Sequence, residues 1–184
     1  MEDFKKIPKL LKRELKYKGS ILSAYQDKVD VCGHITHWDY IEHGGAAAII
    51  PVLPNGNILM VKQFRLVANR YTLEIPAGKL EKNEKDFYEC AKRELEEETG
   101  FKSNRIELLL DQNTAMAYCS ERIKIYIAFD LEKGSIHNDI DEETHIEEWS
   151  IEDLKRDIFN GKINDAKSIS AILAYNEKYL NKNF

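Results

Sequence analysis

Apolar and polar positions alternate or cluster along the chain in patterns that predict many of its elements. Residues 20–42 alternate loosely, which predicts short strands joined by turns. The segment AAAIIPVLPNGNILMVKQFR predicts a strand to Leu53, a turn at residues 54–56 and a second strand from Ile58, the pattern of a β-hairpin. A further short strand, TLEIPAG, is ended by its proline and glycine.

Start and stop signals predict a helix between Asp86 and Gly100. Asp86 can accept backbone N–H groups as the N-cap, and Glu89 three residues later completes a capping-box pattern. Gly100 is the residue type that most often follows a helix. Two strands, IELLL and RIKIYIAF, and two amphipathic helices, SIEDLKRDIF and SISAILAYNEKYL, come next. Because strands and helices do not alternate regularly, this order predicts an α+β fold.

Composition narrows the class of protein. With 184 residues, of which 43% are hydrophobic and 32% charged, the chain matches one folded domain with a small appendage. Its net charge of −5 argues against binding to nucleic acids or anionic membranes, whereas small anionic substrates stay compatible with it. Three widely spaced cysteines, a charged N-terminus and the lack of a long apolar run lead us to expect a soluble, cytoplasmic protein.

The segment RELEEETG crowds four glutamates onto the end of the predicted helix, although like charges one turn apart destabilise a helix. At about 100° per residue, Glu96 falls on a solvated face of mixed charge. Glu94 and Glu98 fall beside the apolar stripe that must face the core, with Glu97 at its flank. Their carboxylates can converge, and such oxygen ligands suit Mg²⁺ or Mn²⁺. These residues alone leave two interpretations, a divalent metal site and a solvated acidic helix end.

A longer segment, GKLEKNEKDFYECAKRELEEETGF, resembles the signature of the Nudix hydrolase family. That signature is a glycine, five residues, a glutamate, seven residues, and then Arg-Glu-aliphatic-any-Glu-Glu-any-Gly-aliphatic. The fixed places are filled here by Gly78, Glu84, Arg93, Glu94, Leu95, Glu97, Glu98 and Gly100. There are two departures: eight residues separate Glu84 from Arg93, and the aromatic Phe101 takes an aliphatic place. Counted back from Arg93, Lys85 would fall in the place of Glu84.

The resemblance implies a Nudix-type α/β/α sandwich with a mixed sheet, preceded by a small antiparallel arm. It implies that Glu94 and Glu98 are the main metal ligands and that Glu97 is a further one. It also implies catalytic roles for Glu97 and for Arg93, which would orient the glutamates through a salt bridge. The cofactor would be Mg²⁺, with Mn²⁺ as the alternative, and the reaction would be hydrolysis of a phosphoanhydride in a nucleoside diphosphate.

Upstream, IEHGGAAAIIPVLPNGNILMVKQFR and LEIPAGKLE resemble the ADP-ribose pyrophosphatase branch of that family. This implies hydrolysis of ADP-ribose, or of a related nucleoside diphosphate sugar, to AMP and a sugar phosphate. It adds the carbonyl of Ala77 to the metal shell and gives Arg65 a contact with the diphosphate. Glu74 and Glu121 are further candidates for substrate binding. For these three side chains, a surface or edge-strand charge is the alternative.

The acidic run DIDEETHIEEW resembles a loop that supplies a catalytic glutamate in this branch. The alignment favours Glu142, with Glu143 next, and a solvated acidic loop is the alternative. A glutamate on a mobile loop could position or deprotonate water once substrate has closed the site. Two other functions stay open: hydrolysis of another nucleotide sugar or of a dinucleotide, and a non-catalytic Nudix domain that senses a nucleotide.

The N-terminal segment completes the implied organisation. Residues 1–43 would form a β arm that is exchanged in a homodimer, and residues 44–184 would form the Nudix domain. Aromatic residues of the arm could stack on substrate bases, but each is better interpreted as a packing residue: Tyr17, Tyr25, Trp38 and Tyr40.

Overall fold

The computed structural model describes residues 7–81, 84, 86–135 and 144–181. Its strands are β1 (Lys9–Lys18), β2 (Leu22–Val31), β3 (His34–His43), β4 (Ala46–Pro51), β5 (Ile58–Arg65), β6 (Arg70–Glu74), β7 (Ala77–Lys79), β8 (Phe101–Lys102), β9 (Arg105–Asn113), β10 (Arg122–Phe129), β11 (Glu132–Lys133) and β12 (Thr144–Trp149). Its helices are α1 (Phe87–Thr99), α2 (Ile151–Phe159) and α3 (Ala166–Tyr175), which is followed by a π-helical turn at Asn176–Asn181. None of the helices within these ranges is long and apolar enough to cross a membrane.

One compact unit is built from the residues up to Gly45 together with Asn113–Arg122. Its sheet is antiparallel, in the order β1-β2-β3, and each strand has ten residues where shorter strands were predicted. Arg13 donates two hydrogen bonds to the carboxylate of Asp27, at 2.8 and 2.7 Å. The same guanidinium lies over the ring of Tyr40, 3.6 Å from its centroid, so Tyr40 packs within this sheet.

The second unit comprises Ala46–Gln112 and the residues from Ile123 onward. Its main sheet has the order β7-β4-β10-β9, in which β4 pairs in parallel with β10 and antiparallel with β7. A second, antiparallel sheet has the order β12-β5-β6, and β8 pairs with β11. The parallel pair makes the main sheet mixed, which confirms that prediction.

Alternation along β4 and β10 sends successive side chains to opposite faces of the main sheet. On one face, the buried sheet residues Ala48, Ile50, Ile125 and Ile127 share a core with Leu154 of α2 and Ile172 of α3. On the other face, the buried sheet residues Ala47, Ile49 and Tyr126 share a core with Ala91 and Leu95 of α1. Helices therefore cover both faces, and the predicted α/β/α sandwich is confirmed.

Two predicted strands end earlier than the pattern suggested. β4 ends at Pro51 rather than at Leu53, because the chain is already entering the hairpin turn and only Val52 keeps an isolated bridge to Ile58. The stretch TLEIPAG is not one strand but the end of β6 and the beginning of β7. Pro76 separates the two, since proline has no N–H to donate to a strand ladder.

The helix that carries the acidic cluster begins and ends where predicted. Asp86 is the N-cap of α1 and accepts the N–H groups of Tyr88 and Glu89 at 2.9 and 3.1 Å. Gly100 ends the helix in the left-handed conformation, with φ of 71°. By contrast, α3 begins at Ala166, two residues before the predicted start, because Asp165 acts as its N-cap.

Candidate active site

Gly78 of β7 gives the acidic end of α1 a close approach to the sheet. A Cβ atom on Gly78 would lie 1.7 Å from Oε1 of Glu94, which is far inside van der Waals contact. The carboxylate of Glu94 therefore fills the space that any larger residue would need. Glu94 and Glu98 are only 7% and 8% exposed, so both face inward as the helical wheel predicts.

Arg93 lies among three carboxylates. Its Nε donates to Oε1 of Glu84 at 2.8 Å, and its Nη1 donates to Oε2 of Glu97 at 2.6 Å. The same Nη1 lies 2.7 Å from Oε1 of Glu94. One guanidinium thus pairs with three negative side chains, which leaves an excess of negative charge at this end of α1.

Glu84 is fixed as the loop partner of Arg93. Its second carboxylate oxygen, Oε2, accepts the backbone N–H of Glu81 at 2.7 Å. Burial works to raise the pKa of Glu84, but the hydrogen bond and charge of Arg93, together with the N–H of Glu81, outweigh burial and hold this pKa below its usual range. The spacing of eight residues between Glu84 and Arg93 therefore does not separate the pair.

The environment of Glu94 opposes its negative charge. Burial raises the pKa of this carboxyl to about 7, although the neighbouring charge of Arg93 works in the other direction. Repulsion from Glu97 and Glu84 adds to the rise. Glu94 is thus a buried carboxylate whose charge Arg93 compensates only in part.

Cys90 fills the space beneath β7 and is fully buried. Its Sγ lies 3.5 Å from the carbonyl oxygens of both Gly78 and Lys79. Burial raises the pKa of this thiol to about 12, so it stays protonated at neutral pH. Cys90 is a packing residue of the site and not a nucleophile.

Glu98 connects α1 to the residue before Gly78. Its Oε2 accepts the backbone N–H of Ala77 at 3.0 Å. The two predicted metal ligands Glu98 and Ala77 are therefore direct neighbours in the structure. This contact also holds β7 at a fixed distance from the last turn of α1.

The residues at this end of α1 fit a hard divalent cation by their chemistry. The predicted donors, which are the carboxylates of Glu94 and Glu98 and the carbonyl of Ala77, are all oxygen atoms, as Mg²⁺ prefers. The excess of negative charge around Arg93 and the cradle at Gly78 favour the same kind of ion. Across the part of the chain that the structure describes, however, no three acidic, imidazole or thiol side chains are grouped as a ready-made cage. The convergence of three carboxylates, including Glu97, stays a prediction.

Arg65 and Glu74 lie on paired strands and contact each other directly. Arg65 donates from Nε and Nη2 to the two carboxylate oxygens of Glu74, both at 2.8 Å. Glu74 is 3% exposed, whereas 40% of the Arg65 side chain is exposed. Burial acts against the charge of Glu74, but the hydrogen bonds from Arg65 and the charge of Lys167 prevail and lower its pKa to about 2.

Sequence reasoning did not identify Lys167, which completes this cluster. Lys167 donates to Oε2 of Glu74 and, at 3.0 Å, to Oδ2 of Asp165. The cap signal of Asp165 was available in the sequence and would have placed Lys167 in the first turn of α3. Its distance from Glu74 along the chain hid the contact.

The structure does not test the predicted roles of the remaining site residues. Glu121 belongs to the first unit, where it accepts a hydrogen bond from Thr114 at 2.7 Å and lies 3.4 Å from Nδ1 of His43. Its role in substrate binding stays a prediction. Glu142 and Glu143, the candidates for a catalytic glutamate, lie outside the described residues.

A comparison with models of known protein families agrees with the fold and the candidate site described above. The model of the NUDIX domain matches residues 42–171, which is more than half of the chain. The chain therefore belongs to the Nudix family, and the predicted membership is confirmed. The segment from Gly78 to Gly100 that builds the candidate site lies inside the matched region.

Individual relatives cover nearly the whole chain. The chain is 33% identical over 167 residues to the ADP-ribose pyrophosphatase of Bacillus subtilis (strain 168). The aligned region covers 89% of this chain and 90% of that protein. The chain is 32% identical, with the same coverage, to the methanol dehydrogenase activator of Bacillus methanolicus. The crystal structure of an ADP compounds hydrolase shares the fold, with a TM-score of 0.84 over 96% of both chains at 22% identity.

Proposed function

We propose that the chain hydrolyses the diphosphate bond of ADP-ribose, or of a related nucleoside diphosphate sugar, to AMP and a sugar phosphate. The observation that carries this proposal is the buried acidic end of α1, where Glu94 fits against Gly78 and shares Arg93 with Glu84 and Glu97. The similarity to a relative named ADP-ribose pyrophosphatase supports the choice of substrate.

Three groups would hold the metal, Mg²⁺ or Mn²⁺ in its place: the carboxylates of Glu94 and Glu98 and the carbonyl of Ala77, with Glu97 as a further ligand. A divalent ion bound there supplies positive charge to the diphosphate and to the attacking water. Arg93 restrains Glu94 and Glu97, because its Nη1 contacts both carboxylates.

Substrate contacts are proposed for Arg65, Glu74 and Glu121. Arg65 combines a guanidinium held by Glu74 with a side chain that is 40% exposed, which suits an arginine that binds the oxygens of a diphosphate. Glu74 would contribute to substrate binding by holding Arg65 through two hydrogen bonds. Glu142, with Glu143 next, would position or deprotonate the attacking water.

The N-terminal β arm is proposed to join two chains in a homodimer. Every residue of β1 is exposed, and the strand presents the apolar side chains of Leu10, Leu11, Leu15 and Tyr17. Such a row of exposed apolar residues is typical of an interaction surface. The free thiols Cys32, Cys90 and Cys119 support the cytoplasm as the compartment.

Incubation of the pure protein with ADP-ribose and Mg²⁺, with products separated by chromatography, tests the activity. The wild type should form AMP and ribose 5-phosphate. Glu98→Gln should lose this activity by about a hundredfold or more, because a predicted metal ligand loses its charge. Glu96→Gln is the matched control, since Glu96 pairs with Lys102 at 2.8 Å on the other face of α1.

A panel of other nucleotides decides between the alternatives. Preferred cleavage of ADP-glucose, GDP-mannose or a dinucleotide over ADP-ribose would contradict the proposed substrate but keep the reaction type. Binding of nucleotides with no cleavage of any of them would contradict the enzymatic function and favour a sensing domain.

A further inference from the structure

We infer that Lys167 of α3 is a positioning residue for substrate binding, because it fixes Glu74, which in turn aims Arg65 at the diphosphate of the substrate. The inference rests on the proposed function, in which Arg65 contacts that diphosphate. Lys167 itself would not touch the substrate.

The carboxylate of Glu74 has its full complement of hydrogen-bond donors. Its Oε1 accepts from Nε of Arg65 at 2.8 Å and from the hydroxyl of Thr72 at 2.7 Å. Its Oε2 accepts from Nη2 of Arg65 at 2.8 Å and from Lys167. A carboxylate offers about four lone-pair sites, so both its position and its plane are fixed by these contacts.

A fixed carboxylate fixes the guanidinium that it faces. The two parallel hydrogen bonds between Arg65 and Glu74 hold the planar guanidinium in one orientation. The Arg65 side chain is nevertheless 40% exposed, so part of it stays accessible to solvent while Glu74 holds the guanidinium. This is the arrangement that a preorganised anion-binding arginine requires.

Lys167 also changes the charge that an incoming diphosphate meets. If Arg65 were the partner of Glu74 alone, the pair would be neutral and would attract an anion weakly. Lys167 is 11% exposed and supplies a second positive charge to the same carboxylate. Asp165 also contacts Lys167, but its carboxylate lies at the N-terminus of α3, where it accepts the N–H of Ser168 at 3.0 Å. The helix dipole there compensates part of the negative charge of Asp165.

Helix α3 is anchored to the same segment of chain by a second contact. The buried hydroxyl of Ser168 donates to Asp165 at 2.6 Å and accepts the N–H of Ile75 at 2.9 Å. Because Ile75 directly follows Glu74, the first turn of α3 holds both the side chain of Glu74 and the backbone beside it. The position of Lys167 is therefore as fixed as that of its target.

The test compares three variants with the wild type. Lys167→Met removes the positive charge and keeps most of the length of the side chain, whereas Lys167→Arg keeps the positive charge. Lys162→Met is the matched control, because Lys162 pairs with another buried acid, Asp157, at 3.1 Å. For each protein we would measure kcat and KM for ADP-ribose, the Kd for ADP by calorimetry, and the melting temperature.

We expect Lys167→Met to raise KM for ADP-ribose and Kd for ADP about tenfold, with kcat changed less than about twofold. Lys167→Arg should return both constants to within about threefold of the wild type, and Lys162→Met should leave them unchanged. A lysine that only supported the fold would lower the melting temperature without this selective change in KM. If Lys167→Met does not fold, Lys167→Gln carries the same comparison.

Unchanged KM and Kd in Lys167→Met, or a fall in kcat at constant KM, would overturn the inference. Failure of Lys167→Arg to rescue binding would overturn it as well. If the wild type does not cleave ADP-ribose, the proposed function fails, and the Kd for ADP alone then decides about Lys167. A wild type that neither cleaves ADP-ribose nor binds ADP would overturn both the proposed function and the inference about Lys167.

Discussion

At the scale of single residues, the candidate site depends on how a few carboxylates are compensated. Glu94 is buried against Gly78 and shares Arg93 with two other acids, so its pKa is raised to about 7. Glu74 is similarly buried but contacts two cations, Arg65 and Lys167, and its pKa falls to about 2. Two glutamates with similar burial thus differ in charge state because they differ in the number of cations that they contact.

Gly78→Ala should abolish activity while the protein stays folded. The new Cβ would lie 1.7 Å from Oε1 of Glu94, so the carboxylate must leave its position. We expect kcat for ADP-ribose to fall by about a hundredfold or more. Gly44→Ala is the control, because a Cβ there meets no atom within 4 Å, and its activity should match the wild type. Equal activity of Gly78→Ala and the wild type would show that Glu94 need not be held in this cradle.

The stability that Glu74 contributes should depend on pH. Because its pKa is lowered in the folded state, its contribution is complete above the unfolded pKa of about 4.5 and is lost as pH falls from there towards 2. Urea unfolding of the wild type and Glu74→Gln at pH 7 and pH 3.5 measures this. The difference in unfolding free energy should shrink by about 1 kcal/mol at the lower pH. A difference that stays constant or grows would contradict the assigned network.

At the scale of elements, helix α1 could be predicted closely because its signals are local. Asp86, Gly100 and the apolar stripe through Leu95 all act within one segment, and each was visible in the sequence. The inward placement of Glu94 and Glu98 followed from the same periodicity. The start of α3 was missed because Asp165, a cap signal, lies before the apolar pattern begins.

Ser168→Ala tests how firmly α3 holds the strand end that leads to the site. The variant leaves the buried N–H of Ile75 without its acceptor at 2.9 Å, which should lower the free energy of unfolding by about 2 kcal/mol. Ser170→Ala is the control, since the Ser170 hydroxyl donates to the carbonyl of Lys167 within its own helix, and its effect should stay below about 0.5 kcal/mol. Chemical denaturation of both variants checks this, and equal losses of stability would contradict the proposed anchor.

At the scale of the whole molecule, the resemblance to the Nudix family implied the α/β/α sandwich and the mixed sheet, whereas the long-range pairs could not be predicted. Arg65 and Glu74 were each singled out, yet their mutual contact could not be predicted, because the register of β5 and β6 places Arg65 opposite Arg70 and Glu74 opposite Val61. The contact of Lys167 with Glu74 joins residues 93 positions apart, which no local pattern reveals. Likewise, the first compact unit includes Asn113–Arg122, a segment remote in sequence from the N-terminal strands.

The proposed dimer predicts a dependence on the apolar side chains of β1. Sedimentation of the wild type should give about twice the 21.4 kDa of one chain. Leu15→Glu should shift the protein to the mass of a monomer, because it places a charge in the apolar row, where Leu15 is 51% exposed. Lys9→Glu also places a negative charge on β1 but removes no apolar side chain, and it should stay dimeric. A monomeric wild type, or a dimeric Leu15→Glu, would contradict the arm as the interface.

Binding of Mn²⁺ in the absence of substrate, measured by electron paramagnetic resonance, tests directly whether the end of α1 is a divalent metal site. If the end of α1 is a divalent metal site, the wild type and Glu96→Gln should bind Mn²⁺ alike. Glu98→Gln should bind it at least about tenfold more weakly, because one negative oxygen donor is lost. Equal binding of Mn²⁺ by all three proteins would contradict the metal site, and RELEEETG would then be a solvated acidic helix end.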